Sequence, residues 1–484
     1  MRAAWLSLAM FVGGCTVVGP DFRPVEIESP PHWAEGHGGP VELSAPTAAE
    51  LPLLVNRWEA FGDQELVHLQ AVALAANQDA RIAVLRLLEA RVQETTVSAQ
   101  NGLQVTAQGG ATRERQSEFG SASRLINAIG GTNASQLRKA LSAPFTLYQA
   151  GFDASWEPDL WGRVMRSEEA ARADTDGQQA ALRQIQLGVA AEIARTYFLL
   201  RLAQQQWRLA QDELALALEA EGLIQVQYSS GMADQSALLR QHVQVAALRA
   251  ALPELRAQEA RAMNQITLLS GVGVGQLNDE LTRTTLNRPQ AALPDLRLGL
   301  PGELARRRPD VAAAEARLHA ATATIGIAVA DLYPRVTLGA DFGLESAGSG
   351  KFGDWGSRQW SVGPSLSLPL WDRGRRSSMI ALRELQQQEA AVALQQTVLA
   401  AWHEVDSAIS AYVSESLRDA QFSERVRSSE QDARLSQARY ANGLTDYLRV
   451  LSAKSALIDA QRDLIDSHSR ACTALTALYK SLGE

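Results

Sequence analysis

Cysteine is nearly absent: the chain carries two in 484 residues, Cys15 and Cys472. Two thiols exclude a disulfide framework and cannot build a tetrahedral metal site. The seven histidines are scattered, and His403-Glu404 lacks the second histidine of a zinc-binding helix. No phosphate-cradling GxxxxGK[ST] occurs. Gly271-Val272-Gly273-Val274-Gly275 misses the dinucleotide spacing and follows a helical rather than a strand pattern. Acid pairs such as Glu168-Glu169 lie in helical stretches and read as a solvated face. No catalytic constellation and no metal set emerges, so the sequence gives no support to an enzyme. Net charge is −8 with no basic run, which argues against a nucleic-acid partner. Long apolar runs are also missing; Trp5 to Val12 is far short of the ~20 residues a membrane helix needs. Proline is missing from Arg163 to Tyr228 and from Leu370 to the C-terminus.

What is present is said twice. Trp161-Gly162-Arg163 opens a stretch that closes at Tyr228-Ser229-Ser230-Gly231, and Trp371-Asp372-Arg373 opens one that closes at Tyr440-Ala441-Asn442-Gly443. The offset is 371 − 161 = 210 at the tryptophan and 443 − 231 = 212 at the glycine. Upstream, Ala99 to Thr106 aligns with Ala330 to Thr337 at an offset of 231. The first repeat therefore has about twenty extra residues before Trp161. The period exceeds the ~20–50 residues of solenoid units and marks a duplicated half-domain.

Residues 1–14 read as a secretory signal, with Arg2 at its start and a short apolar run. Val12-Gly13-Gly14-Cys15 resembles a bacterial lipoprotein box, which makes Cys15 the expected lipidation site. Residues 15–62, rich in Pro, Gly and Glu, are expected to form a lipidated, extended segment. Helical periodicity begins near Asp63 and holds to Gln100 as one expected helix.

The period then changes to two. Tyr148, Ala150, Phe152, Ala154 and Trp156 alternate with polar or small residues. So do Val336 to Leu344 and Trp360 to Leu370, and Leu103 to Ala111 does so more weakly. These are four expected strands of about ten residues, in hairpins near 103–158 and 334–371. Such strands match the ~9–11 residues of a membrane β-strand, though a soluble sandwich also alternates. Trp156, Trp161, Trp360 and Trp371 sit near strand ends, where aromatic girdles form at a membrane surface. Four strands cannot close a barrel and an open edge is not tolerated in lipid, so spanning strands require several chains to share one barrel. The first hairpin loop, Arg113 to Ala143, is long, polar and glycine-rich.

After each hairpin a long helix is expected, Arg163–Tyr228 and Arg373–Tyr440, each returning antiparallel through 235–269 and 446–481. Gly231 and Gly443 serve as helix stops. Pro253 is expected to kink or break the first return helix. The repeats thus span 63–271 and 301–484, with a Gly/Pro-rich connector at 272–300; the helix at 301–331 matches the one at 63–100.

The lipoprotein box, the leader Cys15 to Phe22, the paired Trp-x-Arg and Tyr-x-x-Gly marks, and Leu300-Pro301-Gly302-Glu303-Leu304-Ala305-Arg306-Arg307-Arg308-Pro309-Asp310-Val311 together resemble the TolC-like outer-membrane efflux factors. The likeness is to the NodT-type lipoprotein branch serving RND pumps and covers essentially the whole chain. It implies an α+β membrane protein that works as a homotrimer. Twelve shared strands would form an outer-membrane barrel, coiled-coil helices a periplasmic tunnel, and the connector with both chain ends an equatorial belt. It also implies a periplasmic adaptor and an inner-membrane pump as partners, small-molecule export, and no cofactor beyond the lipid on Cys15. The family closes its periplasmic end at the hairpin tips. Here Tyr228, Gly231, Tyr440 and Gly443 match, and Asp234 and Asp446 place acids near both tips. Arg449 and Ser452 stand where relatives often carry Asp, so the usual acidic constriction is not reproduced. Two other readings stay open: a duct for secreted protein, and a lipid-anchored coiled-coil scaffold without a pore.

Overall fold

The computed structural model describes residues 17–25, 57–120, 134–283, 293 and 307–483. The signal segment, Cys15, the tip of the first hairpin loop, most of the connector and the start of the expected helix at 301 lie outside the described residues. The chain divides into two compact units. One takes Met1–Arg23, Ala90–Thr175 and Leu318–Glu389; the other takes Pro24–Glu89, Asp176–Arg317 and Ala390–Glu484. The units cut across the sequence repeats, because one sheet draws its strands from both.

That sheet is antiparallel, in the order β1 (Gln104–Glu114), β2 (Phe145–Trp156), β3 (Arg335–Ser346), β4 (Arg358–Ser367). The register sets Phe152 opposite Phe342 and Phe342 opposite Trp360 on one face, and Asp153 opposite Asp341 and Asp341 opposite Ser361 on the other. Trp360 is 67% exposed, and Phe152, Val362 and Leu366 are exposed with it. A sheet face this apolar is left bare, and the outer edges of β1 and β4 have no strand beside them within the described chain. The strands differ from expectation at their ends. β1 runs on to Glu114 because Arg113 and Glu114 still pair with Thr146 and Phe145. β4 stops at Ser367 although its alternation continues to Leu370, since β3 begins at Arg335 and offers no partner further on. β4 contains Pro364, paired in register with Leu338 of β3.

The expected helix at 63–100 is two: α1 (Gln64–Ala76) and α2 (Gln78–Ser98). Asn77 makes the break. Its own N–H closes α1 on the Ala73 carbonyl, its Oδ1 accepts the Ala80 N–H at 3.0 Å, and its Nδ2 donates to the Leu269 carbonyl at 2.9 Å. Asp63 caps α1 by accepting from the Glu65 and Leu66 N–H groups. A short α3 (Ala134–Leu141) precedes β2.

Two 67-residue helices follow the hairpins, α4 (Arg163–Ser229) and α8 (Arg375–Ala441). At ~1.5 Å per residue each is ~100 Å long. Their returns are α5 (Gln235–Leu269) and α9 (Tyr447–Leu482). The expected break at Pro253 does not occur: α5 runs through it. Pro253 is exposed, so the carbonyl it leaves unpaired is open to water, while Leu238, Val245, Met263 and Ile266 hold α5 by burial on either side. Between the repeats lies α6 (Asn278–Arg283), and the second repeat opens with α7 (Pro309–Ala330). Pro309 opens α7 where a missing N–H costs nothing.

A buried cluster lies in the second unit. Trp58, Phe61, Leu66, Ile193, Tyr197, Ile266, Leu281, Ile409, Leu475 and Tyr479 meet there, from both long helices, both returns, α1, α6 and the segment 57–61. Trp58 and Phe61 pack edge-on to Tyr479 at 5.9 and 6.0 Å. Without this cluster, helices so rich in alanine and glutamine would have little to hold them, since long isolated helices depend on tertiary packing.

Candidate functional site at the helix turns and strand bases

The two helix turns are built alike. After α4, Gly231 sits at φ 76° and donates its N–H to the Tyr228 carbonyl at 3.0 Å; Met232 N–H reaches Gln227 at 2.8 Å. After α8, Gly443 sits at φ 69° and donates to the Tyr440 carbonyl at 2.9 Å; Leu444 N–H reaches Arg439 at 2.9 Å. Both positions need the left-handed conformation that glycine adopts without strain. Each turn ends on an aspartate. Asp234 accepts the Ala237 N–H at 2.7 Å and the Ser236 hydroxyl at 2.8 Å, and Asp446 accepts the Arg449 N–H at 2.8 Å. The Ala237 N–H, then the Ser236 hydroxyl, hold the Asp234 carboxyl below the usual carboxylate range. The expected tip residues thus fall at the two turns, Tyr228, Gly231 and Asp234 at one and Tyr440, Gly443, Asp446 and Arg449 at the other, with each glycine ending a helix and each aspartate capping the next.

The tips differ in what surrounds them. Tyr440 packs against Tyr447 at 4.9 Å. The Tyr447 hydroxyl bonds Glu219 on α4, which raises its pKa. Arg449 faces Asp432 of α8 at 3.9 Å in an exposed pair, a weak link by its distance and solvation. Stronger contacts lie further up the helices. Arg462 on α9 reaches Glu213 on α4, a carboxylate almost withdrawn from water, and Asp459 at 3.3 Å. Arg425 on α8 pairs with Asp463 on α9. Gln241 on α5 donates to the Ala217 carbonyl of α4 at 2.8 Å. Arg462–Glu213 joins helices of the two repeats across 249 residues; the other two tie each long helix to its own return. No local pattern announced them.

Higher on α9, His468 lies 3.4 Å from Asp419 of α8. Burial opposes charge on the imidazole, but Asp419 and Cys472 outweigh it and raise its pKa to about 10. Charge rather than a well-aligned hydrogen bond holds this pair, since the Asp419 oxygen lacks good bonding geometry.

At the strand bases the tryptophans take different surroundings. Trp156 donates its Nε1–H to the Asn101 carbonyl at 3.1 Å. Trp161 stacks on Tyr333 at 4.7 Å and donates to the Pro334 carbonyl at 2.8 Å. Trp371 is 80% exposed, touched by Arg373 at 5.6 Å. Trp360 lies on β4 toward the loop end, near the exposed Trp355, which the sequence reading passed over. Across the polar face of the sheet, Thr106, Asp153, Asp341 and Ser361 form one row, and the Ser361 hydroxyl donates to Asp341.

Among the described residues no group of His, Cys, Asp and Glu could hold a metal ion, and no helix is long and apolar enough to cross a membrane. Paired strands with a bare apolar face, two very long helical hairpins and matched glycine turns fit the class of outer-membrane export channels. The comparison with known families agrees: residues 69–272 and 300–484 match the outer membrane efflux protein family, and the chain belongs to it. It is 31% identical to the outer membrane protein OprJ of Pseudomonas aeruginosa over 444 residues, 88% of this chain and 85% of the relative. It is 29% identical to the pyoverdine export outer membrane protein OpmQ of Pseudomonas putida, across 93% and 92% of the two chains. Among solved structures, the outer-membrane channel OprN superposes with a TM-score of 0.79 at 29% identity, covering 96% of this chain and 98% of that one.

Proposed function

We propose that three copies of this chain form a lipid-anchored duct in the bacterial outer membrane that carries small molecules outward from a periplasmic adaptor and an RND-type inner-membrane pump. The observation that carries this reading is the four-stranded sheet with one exposed apolar face and two open edges. Lipid tolerates no unpaired backbone. Because all neighbours in the sheet are antiparallel, β4 runs opposite to β1, so β4 of one copy meets β1 of the next antiparallel and three copies close twelve strands. The apolar row then faces lipid, with Trp156, Trp161, Trp360 and Trp371 as girdle residues, and the row of Thr106, Asp153, Asp341 and Ser361 lines the lumen. Acylation of Cys15 anchors the mature N-terminus; several chains at ~0.8 kcal/mol per buried CH₂ give firm attachment.

The helix turns form the periplasmic end. Tyr228, Gly231, Asp234, Tyr440, Gly443, Asp446 and Arg449 shape the aperture, and the Tyr447–Glu219 and Arg462–Glu213 contacts hold one hairpin to the other. The adaptor opens the duct by loosening these links. The channel itself supplies no energy. OpmQ is named for export of pyoverdine rather than of a protein, which favours small molecules over secreted protein. Deletion and complementation test the whole reading: loss of the chain should raise susceptibility to small toxic compounds and leave the secreted proteins unchanged. Purified material that gives no conductance in planar bilayers contradicts it.

A further inference from the structure

The leader is not loose where it meets the first long helix. Val18 donates its N–H to the Trp161 carbonyl at 3.1 Å, and Val17 lies against Gly162. Arg166 is the centre of the contact; its side chain is 5% exposed. It donates to Asp21 at 2.6 Å, to Glu169 at 2.7 Å, and to the Val18 and Gly19 carbonyls at 3.3 and 3.4 Å. Glu169 uses its other oxygen on His319 at 2.9 Å. His319 in turn stacks on Phe22 at 4.3 Å and 17°. The chain of contacts therefore starts on the leader at Asp21 and returns to it at Phe22. Gly19, at φ 90°, lies so close to Gly326 of α7 that a Cβ there would come within 2.4 Å of the Gly326 Cα.

The second repeat shows what the clasp adds. Arg376 holds the place of Arg166, five residues after its tryptophan, but it pairs with Asp372 of its own turn. Met379 stands in the place of Glu169, so no acid is available to share. The same framework without the leader makes no such network.

We propose that Asp21, Phe22, Arg166, Glu169 and His319 form a clasp that fixes the acylated N-terminus at the foot of β2, so that the lipid on Cys15 enters the bilayer at the barrel rim as a fixed lipid-facing element rather than on a loose tether. Two peptide steps separate Cys15 from Val17, at most ~7 Å of chain. Arg166 is a positioning residue in this account. The buried guanidinium holds the leader through four oxygen partners, each of which compensates charge kept from water. The proposal rests on lipidation of Cys15, so its test separates the two.

Intact mass of the membrane-extracted protein reports the lipid alone. Amide hydrogen exchange of residues 17–22 in proteoliposomes reports the clasp alone. In the unsubstituted protein these amides should exchange at least tenfold more slowly than an unstructured chain. Asp21→Ala and Phe22→Ala remove exposed or half-exposed leader side chains and should not disturb folding. Each should raise exchange across 17–22 about tenfold, leave the acyl mass intact, and leave exchange in β2 unchanged. Asp21→Glu should restore protection. A nitroxide at Arg23→Cys should then sample a wider range of bilayer depths in Asp21→Ala than in the parent. Cys15→Ser should keep the leader protected. Unprotected amides in the parent, or exchange indifferent to Asp21→Ala, overturn the clasp; a mature protein without acyl mass overturns the lipid reading and the rim placement with it. A label whose depth is equally sharp in parent and Asp21→Ala overturns the positioning role.

Discussion

Trp161 and Trp371 hold the same place in two copies of one repeat, yet their surroundings are opposite. Trp161 is stacked on Tyr333, hydrogen-bonded to Pro334 and crossed by the leader. Trp371 stands in the open, followed by Arg373, the one described non-glycine residue with a positive φ, at 56°. The first junction finds its neighbour within the chain, because the second repeat follows it. The second junction meets no such partner among the described residues, so a half-domain that packs repeat against repeat leaves one of its two equivalent junctions bare. The open β1 and β4 edges make the same statement in hydrogen bonds.

The largest contrast should appear on removing the two tryptophans. Trp161→Ala should cost about 3 kcal/mol, the low end for loss of a packed tryptophan, and lower the thermal transition of even the dissociated chain. Trp371→Ala should change the dissociated chain by no more than ~0.5 kcal/mol but lower the dissociation temperature of the oligomer on unheated gels. Equal effects on both states would erase the distinction between the junctions.

Arg462→Ala comes next. It strands Glu213 in a nearly dry site, at a cost of ~2 kcal/mol after allowing for the partial exposure of Arg462. Because the link joins the two repeats rather than either one, it should also raise open-channel conductance in planar bilayers. A colder melt with unchanged conductance would mean the link is structural only.

The helices also differ in pH response. His468 has its pKa raised to about 10 in the folded chain, above the ordinary 6.5. Its contribution is therefore complete below pH 6.5 and is lost as pH rises through 10. Thermal melts should show a decline of ~1–2 kcal/mol over that window, reduced because the pair is poorly aligned. His468→Gln should flatten it. A decline that persists in the variant assigns the effect to another group.

The smallest stability effects belong to the tips. Asp446→Ala removes a helix cap worth ~1 kcal/mol, and Arg449→Asp should alter stability by no more than ~0.5 kcal/mol because its pair with Asp432 is long and exposed. Both should nonetheless shift the cation preference of the channel, Arg449→Asp toward cations. Conductance and selectivity left untouched by both would remove these residues from the aperture.

Much of this architecture could be read from residue order. Missing proline announced α4 and α8, alternation announced the strands, and Tyr228-x-x-Gly231 with its copy placed both turns. These signals are local, and each follows from backbone geometry within a few residues. The break at Asn77 escaped because its local cap on Ala80 sits in an otherwise unbroken helical pattern, and the contact that anchors it, to the Leu269 carbonyl, lies 192 residues away. Pro253 was read by its propensity, which packing on both sides of it overrode. The Arg462–Glu213 contact and the clasp around Arg166 join distant stretches through single side chains, so neither leaves a periodic trace. The tips were legible as turns, but the partners Glu219 and Tyr447 that tie them together were not.

The most direct test is the mass of the particle extracted gently from outer membranes and weighed in its detergent or native lipid shell. The account predicts three chains per particle, converting to single chains on heating, with single-channel conductance only before heating. A single chain that stays dispersed without detergent and conducts nothing would contradict the claim that the sheet is one third of a wall.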